Sequence, residues 1–187
     1  MTPVTDAREA VKQGAPQLWP EAPGNIGFDW TAPPDPEGKK QAALERAFKE
    51  AAHVVRVELV NQRLVVASLE ARAATANYDA GAKQFTLRVG TQGVASVRGQ
   101  IAGAMNIKPE ELRLLTEDVG GAFGMKAFVY PEQTLVVWAS RKLVRPVKWQ
   151  EDRSEGFVSD NQGRDHSTRA ELALDENGRF LGLRVSI

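Results

Sequence analysis

The segment Asp118-Val119-Gly120-Gly121-Ala122-Phe123-Gly124-Met125-Lys126 sets three glycines around one aromatic residue. Glycines at 120, 121 and 124 let a backbone approach a ligand closely and turn its N–H groups into an anion-binding concavity. A helix that follows such a loop adds the positive end of its dipole. The spacing matches neither the dinucleotide fingerprint nor a phosphate loop ending in Lys-Ser/Thr, and the stretch also reads as a tight turn with Phe123 packed in a core. Thr91-Gln92 is a second candidate, as a ligand-facing amide or as a helix cap and surface amide. Glu70, Glu151 and Asp152 have the chemistry of a general base, but Arg72 and Arg153 beside them favour ion pairing. His53 and His166 lie far apart in the chain with no third ligand suggested, so no metal held by protein side chains is expected. The chain has no Cys, which excludes thiolate zinc, an iron–sulfur cluster and a cysteine nucleophile of its own. No nucleophile–base pair emerges.

These residues need elements to hold them. The run Lys39 to Ala52 places Ala43, Leu44, Ala47, Phe48 and Ala51 at helical spacing. From His53 the period changes to two, with Val55, Val57 and Leu59 alternating against Arg56 and Glu58, as in a half-buried strand. Strands are expected at 73–78 and 84–89 around the turn-like Asp79-Ala80-Gly81. Val94, Val97, Ile101, Ala104 and Met105 then predict an amphipathic helix. A short strand follows at 112–116. Pro131 suits the first turn of a helix to Leu143, with Leu135, Val136, Ala139 and Leu143 as its inner face. A strand at 147–150 and a hairpin around Asp175-Glu176-Asn177-Gly178 complete the list. The fold class is α+β, or mixed α/β, with Gln92 between a strand and a helix and the glycine segment between another strand and helix.

The first 38 residues are rich in Pro and Gly, which predicts an extended arm at 1–38 ahead of a domain at 39–187. Trp19, Ile26, Phe28 and Trp30 are its expected packing anchors. The last strand alternates up to Ile187, so a continuation is expected, together with an association-prone edge at Leu183 to Ile187.

The chain has 187 residues, enough for a real core, and 24 basic against 24 acidic side chains give no net charge. That balance disfavours a nucleic-acid partner, which needs a basic surplus. The N-terminus lacks a signal-peptide pattern, and the longest apolar run, Leu135 to Ser140, is far short of a membrane span. The expected location is the cytoplasm.

Several segments occur in one order: Asn61-Gln62-Arg63-Leu64, Leu69-Glu70-Ala71-Arg72-Ala73-Ala74, Thr91-Gln92, Asp118 to Lys126, Arg145-Pro146-Val147-Lys148-Trp149 and Glu151-Asp152-Arg153-Ser154-Glu155. Together they resemble the molybdenum-binding large subunit of the xanthine dehydrogenase/aldehyde oxidase family, in particular its aerobic carbon monoxide dehydrogenase branch. Gly24-Asn25-Ile26-Gly27-Phe28 in the arm is similar to the segment that enters the cofactor region in that branch.

The resemblance implies the first part of a molybdopterin-binding domain. It implies molybdenum on a pterin dithiolene, in the cytosine dinucleotide form, which oxidises a small substrate with water as the oxygen source. Electrons would leave through iron–sulfur clusters and FAD on a small and a medium partner subunit. By motif matching, Gln92 resembles the glutamine facing the apical molybdenum ligand. Gly120, Gly121, Ala122, Phe123 and Gly124 resemble the loop lining pterin and metal, with Ala122 where the family has a third glycine. Glu70 and Arg72 match as fold braces. The family's large subunit is several times longer and its general base lies outside the matched part, so a fragment inactive by itself is expected. The alternative is a non-catalytic interaction module that keeps the fold.

Overall fold

The computed structural model describes residues 4–30 and 34–187. Its elements are α1 (Ala7–Ala10), α2 (Lys39–Glu50), β1 (His53–Asn61), β2 (Ala73–Asp79), β3 (Gln84–Val89), α3 (Val94–Met105), β4 (Leu112–Leu115), α4 (Pro131–Leu143), β5 (Val147–Gln150), α5 (Arg153–Ser159), β6 (His166–Leu174) and β7 (Phe180–Ser186). They fall into two compact units, one of Met1–Arg63 with Arg164–Ile187 and one of Leu64–Gly163. This partition differs from an arm-and-domain boundary at residue 38.

The unit Leu64–Gly163 is built on a mixed sheet of order β4-β3-β2-β5. β2 pairs antiparallel with β3 and β5, whereas β3 and β4 are parallel and joined through α3. Residues paired across a sheet share a face. Ala74 pairs with Val89, Ala76 with Leu87 and Tyr78 with Phe85, which puts the apolar positions on one side. Against them pack Val97 and Ile101 of α3 and Val136 and Val137 of α4, with Leu112 and Leu114 extending the layer. Phe85, Leu87, Ile101 and Leu112 are fully buried.

The inner face of α4 differs from the expected one. Gln133, Val136, Val137 and Ser140 are buried, while Leu135 and Leu143 are exposed. Polar residues occupy this stripe because their bonds are made locally. Gln133 Oε1 accepts from Tyr130 N–H at 3.3 Å, and Ser140 Oγ donates to Val137 O at 2.8 Å. The short helix α5, not expected from periodicity, starts at a reciprocal cap in which Asp152 accepts from Glu155 N–H and Glu155 from Asp152 N–H.

The other unit carries the antiparallel sheet β1-β6-β7. Helix α2 crosses it at Gly182, where an added Cβ would lie 3.0 Å from Leu44 Cδ1 and 3.3 Å from Ala47 Cβ. The covered side is that of Val54, Ala173 and Gly182, so Val55, Val57 and Leu59 face away and are exposed. The expectation of a strand at 53 holds, but its apolar face is the open one. The arm contains only α1 and a 3-10 turn at Pro23–Asn25 among the described residues. Asn25 gathers it, donating to Ala10 O and Pro16 O and accepting from Leu18 N–H. Trp19, Ile26, Phe28 and Trp30 do not act as anchors within the chain, since all four are exposed. Pro3 lies outside the described residues.

Candidate functional site

Everything at the site belongs to the unit Leu64–Gly163. Strand β3 ends at Val89, and the chain turns through Thr91 and Gln92 into α3. Thr91 is buried; its Oγ1 donates to Lys126 O at 3.0 Å and accepts from Gly93 N–H at 3.2 Å. Gln92 N–H also donates to Lys126 O, at 3.2 Å, so the turn before α3 is strapped to the end of the glycine loop.

The loop itself rests on the segment 68–70. Glu70 N–H donates to Gly120 O at 3.0 Å, and Gly120 N–H returns a bond to Glu70 Oε2 at 2.9 Å. The approach requires glycine, because a Cβ at 120 would lie 2.7 Å from Glu70 Cβ. Gly121 has φ +97°, and its Cβ would press on Ser68 at 3.2 Å. At the far end Lys126, only 2% exposed, donates to Glu70 Oε2 at 2.6 Å and Glu70 O at 3.0 Å. The Lys126 ammonium, and then the Gly120 N–H, hold the Glu70 carboxyl below the usual carboxylate range against the opposing effect of burial.

Between those fastenings lies a set of open donors. Gly124 N–H donates to Gln92 Oε1 at 3.0 Å. A backbone N–H can bond only the amide's oxygen, so this contact assigns the side chain's orientation and leaves both Nε2 hydrogens available. Gly121 N–H is taken by Val119 O and Met125 N–H by Ala122 O. Among the described residues, the N–H groups of Ala122 and Phe123 and the Gln92 Nε2 have no partner. Phe123 is 80% exposed at φ +47°, which overturns the reading of it as a core aromatic. The helix dipole expected behind the loop is displaced: the 3-10 turn Met125–Ala127 intervenes, and the first-turn acid of α4, Glu132, pairs with Arg72.

The acids do not form a general base. Glu151 is fully buried, receiving Arg72 Nη2 at 2.6 Å on one oxygen and Arg72 N–H at 3.1 Å on the other. Arg72 also bonds Asp160 at 2.6 Å and Ser159 at 2.8 Å, with its guanidinium 3.7 Å from the Tyr130 ring centre. Asp152 is spent as the cap of α5, and Arg153 donates to Ser68 O and Leu69 O. Asp160 and Glu132 escaped the sequence reading because no local spacing links them to Arg72. His53 and His166 sit at opposite ends of the β1–β6 pairing, opposite Leu174 and Asn61.

The chain matches the model of the molybdopterin cofactor-binding domain over residues 19–187. It is 37% identical to the 6-hydroxypseudooxynicotine dehydrogenase complex subunit gamma of Paenarthrobacter nicotinovorans, over 80% of this chain and 19% of that one. It is 31% identical to the carbon monoxide dehydrogenase large chain of Hydrogenophaga pseudoflava, over 98% of this chain and 24% of that one. Among solved structures, quinoline 2-oxidoreductase from Pseudomonas putida 86 superposes with a TM-score of 0.69 at 38% identity, covering 76% of this chain and 18% of that one. The chain thus spans about a quarter or less of the relatives it matches.

Proposed function

The chain belongs to the molybdopterin cofactor-binding domain family, and from that premise we propose that it supplies one wall of the cofactor site in a molybdenum hydroxylase large subunit. The observation that carries this reading is the group of three unpartnered donors, Ala122 N–H, Phe123 N–H and Gln92 Nε2, on a loop whose glycines keep side chains away. Such a surface suits an anionic oxo-metal centre and a pterin, which need hydrogen-bond donors at close range.

In this reading Gly120 and Gly121 shape the loop, and the amides of Ala122 and Phe123 bind and orient the cofactor. Gly124 acts indirectly, because its N–H turns the Gln92 carboxamide so that Nε2 faces outward. Gln92 would donate through Nε2 to an oxygen ligand of the molybdenum. When bound, molybdenum on its pterin dithiolene supplies the redox chemistry, oxidation of a small substrate with oxygen drawn from water. The remaining cofactor loops and the proton-accepting group belong to parts of the subunit beyond this segment. The cytosine dinucleotide form, an iron–sulfur and an FAD partner subunit, and a cytoplasmic location complete the proposal. Among the described residues no helix is long and apolar enough to cross a membrane.

The test is Gln92→Ala in the complete large subunit. Removing one preorganised donor costs about 3 kcal/mol of transition-state stabilisation, so turnover should fall by about two orders of magnitude while the molybdenum content and melting temperature hold. Normal turnover at full molybdenum content would assign the apical contact to a different residue. An unsubstituted subunit that takes up no molybdenum would favour the non-catalytic module.

A further inference from the structure

We propose that Glu70 is the positioning residue of this site: one carboxylate oxygen fastens the glycine loop at both ends and so holds its open donors in place. Oε2 of Glu70 accepts from Gly120 N–H at 2.9 Å and from Lys126 Nζ at 2.6 Å. All three unpartnered donors depend on the span between these two fastenings. Ala122 and Phe123 lie within it, and Gln92 is tied to it at Gly124 and at Lys126 O.

The backbone that carries this carboxylate is itself held. Ser68 Oγ donates to Glu70 O at 2.8 Å, and Arg153 donates to Ser68 O at 2.7 Å and Leu69 O at 3.0 Å. Lys126 is buried, and Glu70 is its ion-pair partner among the described residues. Without that carboxylate the ammonium is left charged in a desolvated position and must move, taking the loop end with it. Gly120 N–H loses its acceptor at the same moment. A residue serving only to stabilise the fold would not need to meet both ends of one loop with one oxygen. The role toward a cofactor rests on the reading proposed above, whereas the clamp stands on hydrogen bonds within the chain.

The test uses isotope-labelled protein of the full 187-residue chain and reads backbone and side-chain amide resonances. In Glu70→Ala the signals of Gly120, Ala122, Phe123 and the Gln92 carboxamide should shift, and the hydrogen exchange of the bonded Gly120 and Gly124 amides should quicken at least about tenfold. Signals of Leu87, Ile101 and Val137 should stay in place. Glu70→Gln keeps an acceptor for Gly120 but removes the negative charge that pairs with Lys126, so it should disturb Lys126 and Phe123 and spare Gly120. The double variant Glu70→Gln/Lys126→Met removes both charges and should return Phe123 and Gln92 toward their wild-type positions; it also keeps the test decisive if Glu70→Ala does not fold. Loop and Gln92 signals that coincide with wild type in Glu70→Ala, or a double variant as disturbed as Glu70→Gln, would overturn the clamp. Molybdenum analysis of the unsubstituted complete large subunit separates the two failures. No molybdenum there defeats the cofactor reading and leaves the clamp standing, and unchanged loop signals do the reverse.

Discussion

Phe123 breaks two local rules at once, since a bulky aromatic residue sits in the left-handed region and leaves its ring in solvent. A non-glycine residue there costs about 1–2 kcal/mol, and with the ring 80% exposed little packing among the described residues offsets it. Unrepaid strain of this kind collects at ligand-binding positions, which agrees with a ring held for something outside the chain. Phe123→Ala should therefore change stability by less than about 1 kcal/mol, against the 3–5 kcal/mol typical of a buried Phe. Urea denaturation of the 187-residue chain measures it, and a loss above about 3 kcal/mol would mean that the ring packs. Gln92 makes the complementary case: its carbonyl is used inside the loop, and only its NH2 end is left for chemistry.

Among the elements, Arg72 at the start of β2 holds the most together. Its guanidinium reaches Glu132 in the first turn of α4, Glu151 after β5, and Ser159 and Asp160 at the end of α5. Glu151 and Asp160 have side chains 0% and 2% exposed, so deleting the cation strands both charges away from water. Arg72→Leu is expected to cost about 3–5 kcal/mol, read as a lower denaturation midpoint. Arg72→Lys should recover only part of the loss, because an ammonium cannot meet three acids and a hydroxyl in one plane. A Leu variant as stable as wild type would show that the acids take up protons or water without penalty.

At the scale of the whole molecule, the two units are unequal. Among the described residues, the buried apolar side chains lie in Leu64–Gly163, with Ala173 the one exception. The β1-β6-β7 sheet leaves Val55, Val57, Leu59, Leu183 and Val185 exposed on one face, and α2 meets the other at Gly182 and Arg184. Little buried apolar contact means a low free energy of opening. Hydrogen exchange under native conditions should thus show the amides of β1, β6 and β7 exchanging well ahead of those of β2 and β3. Equal protection across both sheets would count against two units of different stability.

The chain's own pattern determined the local structure: period two at 73–78 and 84–89, helical spacing from Val94, the Pro131 helix start and the glycines at 120, 121 and 124 are near-neighbour properties that any fold must accommodate. The ordered motifs carried the family as well. What they left open was decided by contacts between distant residues. Alternation at Val55, Val57 and Leu59 tells that side chains take turns, not which face a helix will cover, and Gly182 settled that by admitting α2. Gln133 and Ser140 look like surface residues until local hydrogen bonds make their burial affordable. Glu70 and Lys126 stand 56 positions apart. Each was visible as a charge, but only the tertiary structure, by bringing the segment before β2 against the glycine loop, made them a pair and gave one carboxylate both ends of the loop to hold.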